Sequence, residues 1–186
     1  MVNEIGQSVM MGWERPLMKK IANILTESKG DVLNIGFGMG IVDQYIYELK
    51  PNTHTIIEYH PDVIAYIKEN NWETKANFIF TKWQEQIGIL GPFDSIYLDT
   101  WDDKRIPFIN ELLDKCLKVG GIFTIWYNKR EFDRILDKLP ENYEVTYEYF
   151  INDNIIPPAH EQYENGGFYI DPKEEKITIP IIRKIK

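Results

Sequence analysis

Three glycines stand at alternate positions, Gly36, Gly38 and Gly40, in the run N-I-G-F-G-M-G (34–40). Glycine lets a chain turn tightly and lets backbone come close to a ligand. A dinucleotide fingerprint needs its last glycine one place further on, where Ile41 stands. The G-x-G-x-G spacing suits the methionyl end of S-adenosylmethionine better than a pyrophosphate. Glu58 ends the next apolar run, and a carboxylate there can accept hydrogen bonds from both ribose hydroxyls. With Asn34, Phe37, Met39, Tyr59 and Asp99 these residues form a candidate cofactor set. Trp83 and Gln84 extend it to the adenine: the indole packs on the ring and the amide bonds its amine. Trp83 reads equally well as core.

Two acids carry the candidate chemistry. Asp99 closes the run I-Y-L-D (96–99), where a side chain points into the crevice beside a transferred methyl group. Glu14 lies in V-M-M-G-W-E-R-P-L-M (9–18). On a helix over 10–25 it falls in the middle of the arc of Met10, Leu17, Met18, Ile21 and Leu25. A carboxylate among apolar residues is costly unless paired, which singles Glu14 out among the early acids. Two readings compete. Pro16 can start a new helix and leave Glu14 at its entrance, and Glu14 can form a structural ion pair with Arg15 or a lysine. Two carboxylates facing one crevice suit a guanidinium, whose planar N–H pairs match carboxylates. A guanidinium stays protonated near neutral pH, so methylation needs a base to take a proton as the N–C bond forms.

The elements around these residues alternate. A helix is expected from roughly residue 8 to 28. Strands are expected at 31–36, 53–58, 76–80, 93–99 and 122–128, each followed by helical spacing. Pro61 opens one helix in a tolerated first-turn position. W-Q-E-Q-I-G-I-L (83–90) is a short helical piece, the helix through Leu112 and Cys116 stops at Gly120–Gly121, and the next stops at Pro140. Strands at 143–150 and 176–185 follow without a crossover helix and should be antiparallel. Pro180 inside the last one suggests an edge or a bulge. This is α/β: a Rossmann-like seven-stranded, mostly parallel sheet with helices on both faces and an antiparallel final pair, the class I methyltransferase layout. The 186 residues fit one domain, 1–186, whose segment 1–28 contributes to the substrate site.

Composition sets limits. The formal net charge is −8, which argues against nucleic acid or an anionic membrane as partner and is compatible with a cationic small substrate. One cysteine, Cys116, allows no internal disulfide, and it reads as inert core. His54, His60 and His160 have no metal-ligand spacing, so no metal is expected. No apolar run approaches a membrane span and no secretory leader is visible, so the default location is the cytosol. Tyr147, Tyr149 and Phe150 alternate in a strand and suit core or an interface, a homodimer included.

The residues resemble the guanidinoacetate N-methyltransferase family and its arginine-methylating relatives. The shared stretches are V-M-M-G-W-E-R-P-L-M (9–18), V-L-N-I-G-F-G-M-G (32–40), I-I-E-Y (56–59), L-D-T-W (98–101), K-V-G-G (118–121) and I-P-P-A (156–159). The resemblance implies that Glu14 and Asp99 hold the guanidino group, with Asp99 as base. The glycine loop, Glu58 and Trp83 would hold S-adenosylmethionine. Met10, Trp13, Glu14, Asp99, Trp101, Trp126, Tyr127 and Asn128 form the candidate substrate set. The implied reaction is methylation of a small guanidino compound, guanidinoacetate-like or arginine-like. Departures matter: Asn34 stands where the family usually has an acid. W-Y-N-K-R (126–130) replaces the family's Cys-Asn-Leu-Thr, so Lys129 and Arg130 either bind an anionic tail or are exposed first-turn residues. The chain also begins close to the first motif, whereas family members carry a longer covering segment. The rival expectations are a protein-arginine or other amine methyltransferase, and a cofactor-binding regulatory module without turnover. A nicotinamide oxidoreductase is third.

Overall fold

A computed structural model describes residues 14–100, 106–126, 129–151 and 176–186, the side chains of 129–131 excepted. The described elements are α1 (Arg15–Leu25), β1 (Asp31–Ile35), α2 (Ile41–Leu49), β2 (Thr53–Glu58), α3 (Pro61–Glu69), β3 (Asn77–Phe80), β4 (Phe93–Leu98), α4 (Ile106–Cys116), β5 (Leu117–Ile125), α5 (Lys129–Leu136), β6 (Tyr143–Ile151) and β7 (Lys176–Lys184). One seven-stranded sheet runs β3-β2-β1-β4-β5-β7-β6. β1 to β5 are mutually parallel, and β7 is antiparallel to both β5 and β6. The chain leaves β1 towards β3, then returns to the other side of β1 with β4. That reversal opens a crevice at the carboxyl ends of β1 and β4.

Alternation along the strands sorts side chains between two faces. On one face α1 and α2 bury Leu17, Met18, Ile21, Leu25, Ile41 and Ile46 against Val32 and Tyr97. Beside them, Val63 and Ile67 of α3 pack with Phe37, Ile56 and Trp72. On the other face α4 and α5 cover Leu33, Ile35, Ile96, Leu98 and Phe123. Cys116 is in this second layer, and burial pushes its thiol pKa up. None of the described helices is long and apolar enough to cross a membrane.

Several expectations change. α1 begins at Arg15 with Pro16 in its first turn, as the proline reading predicted; residues 8–13 lie outside the described residues. Only Trp83–Gln86 of the short helical piece is helical, as a 3-10 turn. α4 does not run on to Gly120–Gly121. It ends at Cys116, because the Lys184 ammonium on β7 donates to its terminal carbonyls, Leu113 at 3.3 Å and Asp114 at 2.6 Å, and to Leu117 at 3.1 Å. A cation at a helix C-terminus also faces the negative end of the dipole. β5 therefore starts at Leu117, and the glycines form a bulge in it, with Phe93 facing Leu117 and Ser95 facing Ile122. β7 is not an edge strand either: β6 is. Pro180 is tolerated because it pairs with Tyr147 of β6, beyond the β5 ladder at Ile182 and Arg183. On β6, Tyr147 and Tyr149 are exposed rather than core.

Replacing Lys184 by methionine should leave those carbonyls unsatisfied and cost about 2–3 kcal/mol in urea-unfolding midpoint analysis. A second lysine, Lys118, bonds Asp31 at 2.8 Å and Asp94 at 2.7 Å and ties the amino ends of β1 and β4. Lys118, with Asn52 and Thr53, lowers the Asp31 pKa to about 2. An unfolded aspartate titrates near ~3.9, so this stability is present above about pH 4 and lost as pH falls towards 2. Lys118→Met should flatten the loss of stability in that window, measured by denaturant melts across acid pH.

Candidate active site

Hydrogen bonds continue past the strand ends and bind four neighbouring termini. Gly36 N–H donates to Ile57 O at 2.9 Å, Asp99 N–H to Ile35 O at 2.9 Å, and Trp126 N–H to Leu98 O at 3.2 Å. The tips of β2, β1, β4 and β5 thus share one edge. Gly36 has φ +95°, and a Cβ on it would collide with the Asp99 carbonyl oxygen. Gly38 and Gly40 also have positive φ, 58° and 70°. A Cβ on Gly40 would run into the Phe37 ring at 2.7 Å from Cε2. Phe37 is fully buried, packed edge-on against Trp72 and Phe78. Its ring therefore belongs to the core, and only its backbone borders the crevice.

Glu58 is buried at the tip of β2. One carboxylate oxygen accepts from Phe37 N–H at 3.0 Å, the other from Tyr59 N–H at 2.7 Å and His60 N–H at 2.8 Å. A carboxylate has about four acceptor sites, so it clamps two loops and retains acceptor capacity. Asn34 is wholly buried below the glycine loop; its Nδ2 donates to Gly36 O at 3.0 Å and to Asp43 Oδ1 at 2.8 Å. Met39 is half-buried against the α1–α2 layer, Tyr59 is exposed, and Gln84 is half-buried. Trp83 sits in the core, edge-on to Phe108 at 6.1 Å. Its indole N–H has no hydrogen-bond partner among the described residues.

Tyr97 stands between Asp99 and helix α1. Its hydroxyl donates to Asp99 Oδ2 at 3.4 Å and contacts Met18 Sδ at 4.0 Å. Lower on the same face, Ser95 Oγ donates to Leu25 O at 2.6 Å. Helix α1 is thereby antiparallel to β4, with Leu25 beside Ser95 and Met18 beside Tyr97. Extending this by a further turn carries Glu14 to the level of Asp99: about 16 Å along the helix from Leu25 against about 13 Å along the strand from Ser95. Glu14 is only 5% exposed, whereas Asp99 is half-buried. Glu14 stands at the helix entrance, as the proline reading expected, without a side-chain cap hydrogen bond, and it lies on the buried side. Trp126 is half-buried against the same layer. Met10, Trp13, Trp101, Tyr127 and Asn128 lie outside the described residues, as do the side chains of Lys129 and Arg130.

Comparison with known proteins gives this geometry its context. The family model for guanidinoacetate N-methyltransferase matches residues 1–157. The chain belongs to the guanidinoacetate N-methyltransferase family. The family is described by the name of an N-methyltransferase, and two solved methyltransferases that share the fold hold SAH. Relatives include protein arginine N-methyltransferase 2 of Candida glabrata, 43% identical over 141 residues, covering 69% of this chain and 34% of that protein. The protein of that name from Saccharomyces cerevisiae is 34% identical over 142 residues, with the same coverage of 69% and 34%. The chain spans about a third of the length of these curated relatives. Solved structures confirm the class I fold. The SAH-bound methyltransferase PaMTH1 of Podospora anserina has a TM-score of 0.63 at 18% identity, covering 95% of this chain and 80% of that one. The N-methyltransferase NodS of Bradyrhizobium japonicum has a TM-score of 0.61 at 14% identity, covering 94% and 97%.

Sequence reasoning missed Tyr97, Asp43 and His54. The available signal was polarity in the wrong place: Asp43 inside an apolar helix stripe, His54 inside a strand buried on both faces. Gly36→Ala should cost about 3 kcal/mol or more, through positive φ and the collision with Asp99; thermal melts of the purified domain check this.

Proposed function

We propose that this chain transfers methyl groups to a guanidino nitrogen of arginine side chains in a protein, with Asp99 as base and Glu14 as the residue that holds the guanidinium. The observation that carries the chemistry is that α1 lies along β4, with Leu25 at Ser95 and Met18 at Tyr97, which brings the buried Glu14 to the level of Asp99. The names of the relatives support a protein arginine as substrate. A small guanidino compound is the second reading, favoured by the family model. We also propose that residues 1–186 act as one methyltransferase domain.

The residues fit the cofactor. The glycine loop keeps its backbone free of side-chain bulk at Gly36 and Gly40. Asn34 Oδ1 is buried without a partner among the described residues, an acceptor at the foot of that loop. In this reading Asn34 and the 36–40 backbone take the amino-acid end and Glu58 takes the ribose. Gln84 would bond the adenine.

When bound, S-adenosylmethionine would supply an electrophilic sulfonium methyl, with its thioether as the leaving group. The chain's residues handle the other partner. Glu14 accepts N–H bonds from the guanidinium and orients its plane. As the N–C bond forms, the attacked nitrogen loses a proton, and Asp99 takes it. Tyr97 donates to one Asp99 oxygen and fixes the carboxylate's direction. The two negative charges also offset repulsion between two cations brought together.

The test is methyl transfer from isotope-labelled S-adenosylmethionine, read by mass spectrometry. The panel is arginine-rich proteins and peptides, guanidinoacetate, free arginine, agmatine and simple amines. A protein product one methyl heavier at arginine is expected. Asp99→Asn should lower kcat by about 10²–10⁴-fold with an unchanged melting temperature. Glu14→Gln should lower kcat/KM by about tenfold or more. Methylation of only the small guanidino compounds would move the assignment to the second reading. Cofactor binding with no product from any guanidino compound would overturn both.

A further inference from the structure

A polar cluster lies inside the core directly behind the glycine loop. Asn34 and Asp43 have no exposed surface, and His54 is 7% exposed. Asn34 Nδ2 spends both hydrogens, one on Gly36 O and one on Asp43 Oδ1. The same Asp43 oxygen lies 3.0 Å from His54 Nε2. Because Asp43 Oδ1 accepts from both neighbours, the Asn34 amide has one orientation and His54 carries its hydrogen on Nε2. Asn34 Oδ1, Asp43 Oδ2 and His54 Nδ1 have no partners among the described residues. An apolar trio of similar volume would pack at least as stably as such a cluster, so packing alone does not explain it.

With both hydrogens of Asn34 committed, its oxygen is left as a bare acceptor at the end of β1. Only a donor satisfies it, and the carboxylate immediately behind the amide makes a positively charged donor preferable to water. The cofactor's amino-acid end carries such a donor, its ammonium. We infer that Asp43, oriented by His54, is a positioning residue for that ammonium: it holds the Asn34 amide so that its oxygen is the free acceptor and supplies the negative charge that the amide lacks. His54 acts one step further back, at the wall of a cavity of about 390 Å³ shared with Tyr47, Asn52, Lys75 and Asn77. This inference rests on the reading of the glycine loop as the S-adenosylmethionine site.

Two ligands separate the roles. S-adenosylhomocysteine carries the ammonium; 5′-methylthioadenosine shares the nucleoside and lacks the amino-acid end. Both are titrated calorimetrically into the full chain. Asp43→Asn keeps an acceptor for Asn34 and removes the charge. It should weaken S-adenosylhomocysteine by about tenfold and leave methylthioadenosine within about twofold. The exchanged pair Asn34→Asp with Asp43→Asn restores a donor–acceptor couple with the charge moved forward, and should recover S-adenosylhomocysteine binding to within about threefold of the unmodified chain. It also provides a folded comparator if the single variant unfolds. Equal loss for both ligands would mean a merely structural role and overturn the inference, as would no change for either. If the unmodified chain binds neither ligand, the cofactor reading fails first, and the inference fails with it.

Discussion

No side chain fits between the ends of β1 and β4. The Asp99 carbonyl oxygen occupies the space that a Cβ on Gly36 would need, and the Asp99 amide bonds Ile35 O in the same step. This contact sets the width of the crevice at the sheet's reversal point. It fixes where the loop turns off β1 and where Asp99 leaves β4. The remaining parts are built outward from it. Glu58 ties the loop to the tip of β2 through the Phe37 amide, and Trp126 ties β5 to β4. The loop's shape is therefore stabilised by protein contacts before any ligand arrives, and such preorganisation lowers the ordering cost of binding.

Helix α1 shows how packing supports chemistry. Its five buried residues, Leu17, Met18, Ile21, Ala22 and Leu25, hold it on β4 in one direction. Each large one contributes about 1.5–3 kcal/mol as an upper estimate. That is enough to offset the cost of keeping the Glu14 carboxylate in a poorly hydrated place. The same residues that stabilise the helix thus determine the level at which its first acid stands.

The sheet was legible because its strands are short apolar runs cut by turn residues. β2 matches its expected span of 53–58, and five other strands fall within a few residues of theirs, β5 excepted. Glycine spacing, Glu58 and the two acids were legible for the same reason: unusual residue types at strand ends. Long-range contacts were not. Lys184 ends α4 from a strand far along the chain, so no local pattern announced that the helix stops before its glycines. Pro180 suggested an edge because pairing on each side of β7 cannot be read locally. Asp43 lies on α2 and His54 on β2, and only the folding of α2 over the parallel pair β1–β2 brings them to Asn34. Trp83, balanced between ligand and core, packs in the core, because Phe108 from α4 fills its edge.

The contrast in exposure between the two acids bears on which one acts as base. A carboxylate that takes a proton in each turnover must pass it to solvent before the next. Asp99 is half-buried, whereas Glu14 is nearly enclosed. A proton left on an enclosed acid would leave slowly and would also remove the charge that holds the guanidinium. An enclosed carboxylate instead makes a stronger partner for a bound cation, because little water competes for its oxygens. Tyr97 sharpens the division. Its hydroxyl donates to one Asp99 carboxylate oxygen. In the proposed mechanism, exposure favours binding at Glu14 and proton transfer at Asp99, and the Tyr97 hydroxyl keeps that base aligned while it changes charge.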